Sequence, residues 1–152
     1  MDCCSSTPQE AVRAPCPSCG QVGSRVQAVT VESIAKPELA AALEGVRRFC
    51  RTKGCDTLYY DGNGRSIPKG DARVRVGLKE TDPPIPICYC FGFSRADIER
   101  EIAESGECTI AARITLGVKA GTCACETKNP AGVCCLREVR EEVKEAMLRG
   151  AR

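Results

Sequence analysis

Thirteen of the 152 residues are cysteine and none is histidine, so any metal or redox chemistry in this chain falls to sulfur. The lack of histidine excludes imidazole general bases, histidine-ligated catalytic zinc and Rieske-type ligation. Cys16 and Cys19, in Cys16-Pro17-Ser18-Cys19-Gly20, form a C-x2-C pair; Cys50 and Cys55, in Cys50-Arg51-Thr52-Lys53-Gly54-Cys55, form a C-x4-C pair 30 residues further on. Each short loop aims two sulfurs at one point while backbone N–H groups donate to them, and Gly20 lets the chain turn behind the first pair. Two such knuckles complete the tetrahedral four-thiolate shell that zinc prefers, with no position left for water, so the expected site is a structural Zn2+ centre. Rival readings are reduced core cysteines, a C-x-x-C redox site, or a shell in which Asp56 replaces one sulfur.

The remaining cysteines divide into a second set and three outliers. Cys88 and Cys90 form C-x-C, and 32 residues later come Cys123, Cys125, Cys134 and Cys135. Alternate residues of an extended segment share a face, so Cys88 and Cys90 can offer two sulfurs to one site. Cys3 and Cys4 are adjacent thiols suited to a soft ion such as Cu+ or Hg2+. Cys108 reads as a small buried hydrophobe. With no phosphate loop, nucleophile–base pair or paired acids, the chain does not read as an enzyme acting on an organic substrate.

Composition and patterning say what must position these sulfurs. Aromatics make up only 4% of the chain and tryptophan is absent, so bound metal is expected to help hold it together. No basic-then-apolar leader and no run of ~18 apolar residues is present, which points to the cytoplasm, where thiols stay reduced, and away from the membrane. A net charge of +2 without basic blocks excludes nucleic acid as an obvious partner. The expected fold class is α+β: a flexible tail over 1–15, a small β-rich zinc-knuckle domain over 16–82, and a three-helix domain over 83–152. In the first domain, strands are expected over 25–31, 46–50, 57–60 and 73–76, with a short helix over 37–43 and a turn at Asp61-Gly62-Asn63-Gly64. Pro83, Pro84 and Pro86 mark the boundary. Beyond it, Ser94 and Asp97 form a capping box for a helix through about Ala103, and Ile110, Ile114 and Val118 mark a second helix stopped by Gly121. Leu136, Val139, Val143 and Met147 stripe a third. The second cysteine set then falls in the loops before and between helices, where free N–H groups and helix dipoles stabilise an anionic iron–sulfur centre.

The C-x-C, helix hairpin, Gly121-Thr122-Cys123 and Cys135-Leu136-Arg137-Glu138-Val139-Arg140-Glu141 together resemble the [2Fe-2S] domain of bacterioferritin-associated ferredoxins, with residues 124–134 as an insertion. Matching the third helix of that family implies Cys88, Cys90, Cys123 and Cys135 as cluster ligands, with Cys134 and Cys125 as alternates. A wider resemblance runs from Cys16 to Val139. Val74 to Glu80, Asp82-Pro83-Pro84-Ile85-Pro86, Cys88-Tyr89-Cys90-Phe91-Gly92, Cys123-Ala124-Cys125-Glu126 and Gly132-Val133-Cys134-Cys135-Leu136 are similar to the amino-terminal region of CopZ-type copper chaperones. The resemblance implies a zinc site joined to a [2Fe-2S] site and cytoplasmic copper handling. It also implies reduction of Cu2+ to Cu+ by electrons from the cluster, and delivery to a copper-transporting export ATPase or another metal-handling protein. The family's copper-carrying domain is not expected in this sequence. A ferredoxin-like electron carrier and a redox or metal sensor are the alternatives.

Overall fold

The structure is a computed structural model that describes residues 14–150. Cys3 and Cys4 lie outside the described residues. The fold is α+β. Ser24–Val26 (β1), Arg47–Phe49 (β2), Thr57–Asp61 (β3) and Ser66–Pro68 (β4) form an antiparallel sheet in that order. β2 and β3 are its inner strands, and Thr57 through Asp61 of β3 are all buried. The hairpin after β3 is set by Asp61, whose Oδ1 accepts from the N–H groups of Asn63 (2.8 Å) and Arg65 (3.1 Å). Gly64 takes the positive φ of 82° that the turn requires.

Two expected strands are corrected. Of residues 25–31 only Arg25 and Val26 stay extended; Ala28–Ile34 forms a helix, α1. Local β-preference loses because Thr30, Val31 and Ile34 fall on one buried helical face, which packs against the sheet and against a later segment of the chain. Residues 73–76 form no strand either. Ala72 bridges to Ala35 and the Arg73 N–H bonds the Ile34 carbonyl (2.7 Å), so the chain runs along the end of α1 and turns into the 3-10 segment Gly77–Lys79. The short helix α2 keeps only Pro37–Ala40. Ala14 and Pro15, the described end of the segment read as a tail, are held by the Tyr60 hydroxyl on the Ala14 carbonyl (2.8 Å) and a Pro15–Val22 bridge.

In the second half, Pro86–Cys88 (β5) and Phe93–Ser94 (β6) make a ribbon that leads into Arg95–Ser105 (α3), Ile110–Lys119 (α4), Cys125–Lys128 (α5) and Leu136–Gly150 (α6). The capping box at α3 is present: the Ser94 side chain accepts from the Asp97 N–H while the Asp97 carboxylate accepts from the Ser94 N–H. α5 was not foreseen. Of the expected α6 stripe, Val139 is buried and Leu136 and Val143 pack against the same core, but Met147 is exposed; Ala146 and Glu142 are buried beside them, with Glu142 paired to Arg95 (3.2 Å) and Arg149 (3.0 Å).

Two hydrophobic cores result. One gathers Val31, Ile34, Leu43, Phe49, Leu58, Tyr59 and Ile67; the other gathers Ile98, Ile110, Ile114 and Val139 around Cys88 and Cys135. Residues 129–132 cross between them. Ala131 enters the first core, the Tyr59 hydroxyl donates to the Pro130 carbonyl, and Gly132, at φ 68°, packs so tightly on Thr30 that a Cβ would lie 2.7 Å from its Oγ1.

Candidate metal centre

The zinc knuckles are built locally and then brought together by the sheet. The first closes through Cys16 N–H to Gln21 carbonyl (2.8 Å) and Gly20 N–H to Cys16 carbonyl (2.9 Å), with Gly20 at φ 76°. The second follows β2, whose pairing with β3 fixes Cys50 by an N–H bond to the Leu58 carbonyl (2.9 Å). Ser18 and Thr57 hydroxyls, 2.7 Å apart, tie the first knuckle to β3, and Tyr60 packs beneath the sulfurs.

The four sulfurs named from spacing lie within 4.8 Å of one another, with Cys16–Cys55 at 3.9 Å and Cys19–Cys50 at 3.8 Å. Sulfurs at ~2.3 Å from a central ion in a tetrahedron stand ~3.8 Å apart, so this donor set fits Zn2+ and is a four-cysteine zinc-type site. Asp56 is outside the group. The Thr52 hydroxyl at 3.2 Å and the Gln21 N–H hold the Cys19 thiol down at about 6, and burial pushes Cys50 up to about 11 against the pull of the Thr52 N–H and the Lys79 charge. Thr52 and Lys79 carried no ligand signature in the sequence.

The second set resolves into pairs. Cys88, at the end of β5, lies beside Cys135, just ahead of α6, and both are buried. A hydrogen bond from Cys135 and the N–H groups of Phe91 and Cys90 bring Cys88 down to about 6, while the same contact and burial drive Cys135 upward. Cys90 sits in the turn of the ribbon, not on the extended face shared with Cys88; its sulfur is 3.3 Å from that of Cys125 and accepts the Ala124 N–H at 3.2 Å. Burial, then Cys90, pushes Cys125 up to about 12. The sulfur brought to Cys90 is thus that of the alternate Cys125. Cys123 lies half-buried in the irregular segment before α5, and Cys134 is exposed. Cys125 opens α5, a helix that no periodicity announces, and this places its sulfur against Cys90. Cys108 packs against the second core, its sulfur 3.6 Å from a Glu101 carboxylate oxygen. Among the described residues no helix is long and apolar enough to cross a membrane.

A four-sulfur shell on a small antiparallel sheet defines a zinc-binding domain, and a family model described as the CopZ zinc-binding domain matches residues 13–73. The similarity extends past that domain. The chain is 34% identical over 121 residues to the copper chaperone CopZ of Archaeoglobus fulgidus, a match that covers 79% of this chain and 57% of that protein. It also superposes on the X-ray structure of the Archaeoglobus fulgidus CopZ N-terminal domain with a TM-score of 0.69 at 30% identity, covering 84% of this chain and 95% of that one. The chain belongs to the CopZ family, and it spans a little over half the length of the curated relative it matches.

Proposed function

We propose that the chain handles copper as a soft-metal chaperone does, with electrons supplied from a [2Fe-2S] cluster held by Cys88, Cys90, Cys125 and Cys135. The observation that carries this reading is the pairing of the second cysteine set, Cys88 with Cys135 and Cys90 with Cys125, since a [2Fe-2S] cluster takes two thiolates at each iron. The donor chemistry fits: four sulfurs, backbone N–H groups donating to Cys88 and Cys90, and the N-terminus of α6 immediately after Cys135. Bound there, the cluster would supply one electron at a time, enough to turn Cu2+ into Cu+. Ile98, Ile110 and Val139 wall the buried Cys88 and Cys135, the Phe91 ring closes on Gly117, where a Cβ would lie 2.3 Å from the ring, and Cys90 and Cys125 stay half-buried on the outer side. Exposed Cys134 offers incoming copper a soft sulfur beside them. The recipient is a copper-transporting ATPase or another metal-handling protein.

The test is anaerobic purification with iron, sulfide, zinc and copper analysis and a visible spectrum, then mixing of the reduced protein with Cu2+ and a Cu+-specific chelator. Equal iron and sulfide, with visible bands bleached in step with Cu+ formation, are expected. Absence of sulfide removes the cluster. Bleaching without any copper retained by the protein would favour a ferredoxin-like carrier.

A further inference from the structure

Lys79 ends the 3-10 segment Gly77–Lys79 and is only 3% exposed. Its Nζ donates to the carbonyls of Thr52 (2.9 Å) and Cys55 (3.0 Å), so the ammonium sits directly behind the loop that carries Cys50 and Cys55. Among the described residues no carboxylate pairs with it. Carbonyls satisfy its hydrogen bonds but leave a buried positive charge without a counter-charge, which is costly. Four thiolates around Zn2+ leave about two negative charges, and three of those sulfurs belong to residues as buried as Lys79 or nearly so. Each centre lacks what the other supplies.

We propose that Lys79 is a positioning residue for the zinc shell: its buried ammonium is the counter-charge to the tetrathiolate and holds the Cys50–Cys55 loop in its ligating shape. Lys79 lies beyond residues 13–73, so the zinc domain's shell is completed electrostatically by the segment that leads to the second cysteine set. The inference rests on zinc occupying the four-cysteine site and is independent of the cluster.

Three variants of the full chain separate charge from hydrogen bonding. Lys79→Gln keeps a donor without the charge, Lys79→Arg keeps the charge, and Lys79→Met removes both. Zinc per chain is measured on each, followed by the rate of zinc transfer to a chromogenic chelator, with circular dichroism as the fold control. The expected result is zinc loss about 10- to 100-fold faster in Lys79→Gln and Lys79→Met, with Lys79→Arg close to the wild type. A Lys79→Gln chain that purifies without zinc while Lys79→Arg retains it supports the proposal equally, so a folding failure of Lys79→Met does not blunt the test. Lys79→Gln releasing zinc at the wild-type rate, or Lys79→Arg losing it as fast as Lys79→Gln, overturns the proposal. A wild-type chain without zinc would instead remove the zinc reading of the site.

Discussion

Thr52 ligates nothing, yet its hydroxyl is the largest influence on Cys19, holding that thiol at about 6 against an ordinary value of 9.0. In the metal-free chain the folded value is the lower one, so its contribution to stability is complete above the ordinary thiol value and drains away as pH falls through about 6. Thr52→Val raises the folded value, so acid-driven zinc loss should begin at a pH higher by up to about one unit, read from chelator-detected zinc down a pH series. The same scale separates two neighbouring cysteines. Cys125→Ser should abolish the iron and sulfide content and Cys123→Ser should preserve it, because only Cys125 lies against Cys90; equal loss in both would contradict the ligand assignment.

Elements were legible in the sequence where their determinants are local. The Ser94–Asp97 box starts α3 where expected, and Ser94→Ala should cost about 1 kcal/mol, seen as a thermal midpoint roughly 2 to 4 °C lower. The zinc knuckles were legible for the same reason: two sulfurs a few residues apart need only a turn, and β2 and β3 then bring the pairs together. α1 and α5 were not. Val29, Thr30 and Val31 favour a strand by themselves, and their helix becomes the better state only when α5 and Ala131, about a hundred residues later, cover its face. Nor does a lysine among loop residues reveal that it will be buried. Lys79 reaches its position because Gly77, where a Cβ would stand 1.9 Å from the Pro86 carbonyl oxygen, lets the 3-10 segment press against β5.

Across the whole molecule, the two cysteine sites are tied together at two places. The 3-10 segment Gly77–Lys79 holds the zinc loop at its end through Lys79, while its Gly77 N–H donates to the hydroxyl of Tyr89, the residue between Cys88 and Cys90, at 2.8 Å. Residues 129–132 bind the first core while their flanks carry Cys125 and Cys135. Tyr59→Phe, which strands the Pro130 carbonyl, should therefore lower stability by about 1 to 2 kcal/mol in denaturant titration and also speed loss of iron from the loaded chain. That crossing has a consequence for synthesis. Tyr59 and its acceptor are 71 residues apart, a delay of roughly 4 to 14 s at ribosomal speeds of about 5 to 20 residues per second. All four cysteines of the zinc-type site emerge before the wait begins, so the nascent chain can take up zinc while its own core still lacks Ala131.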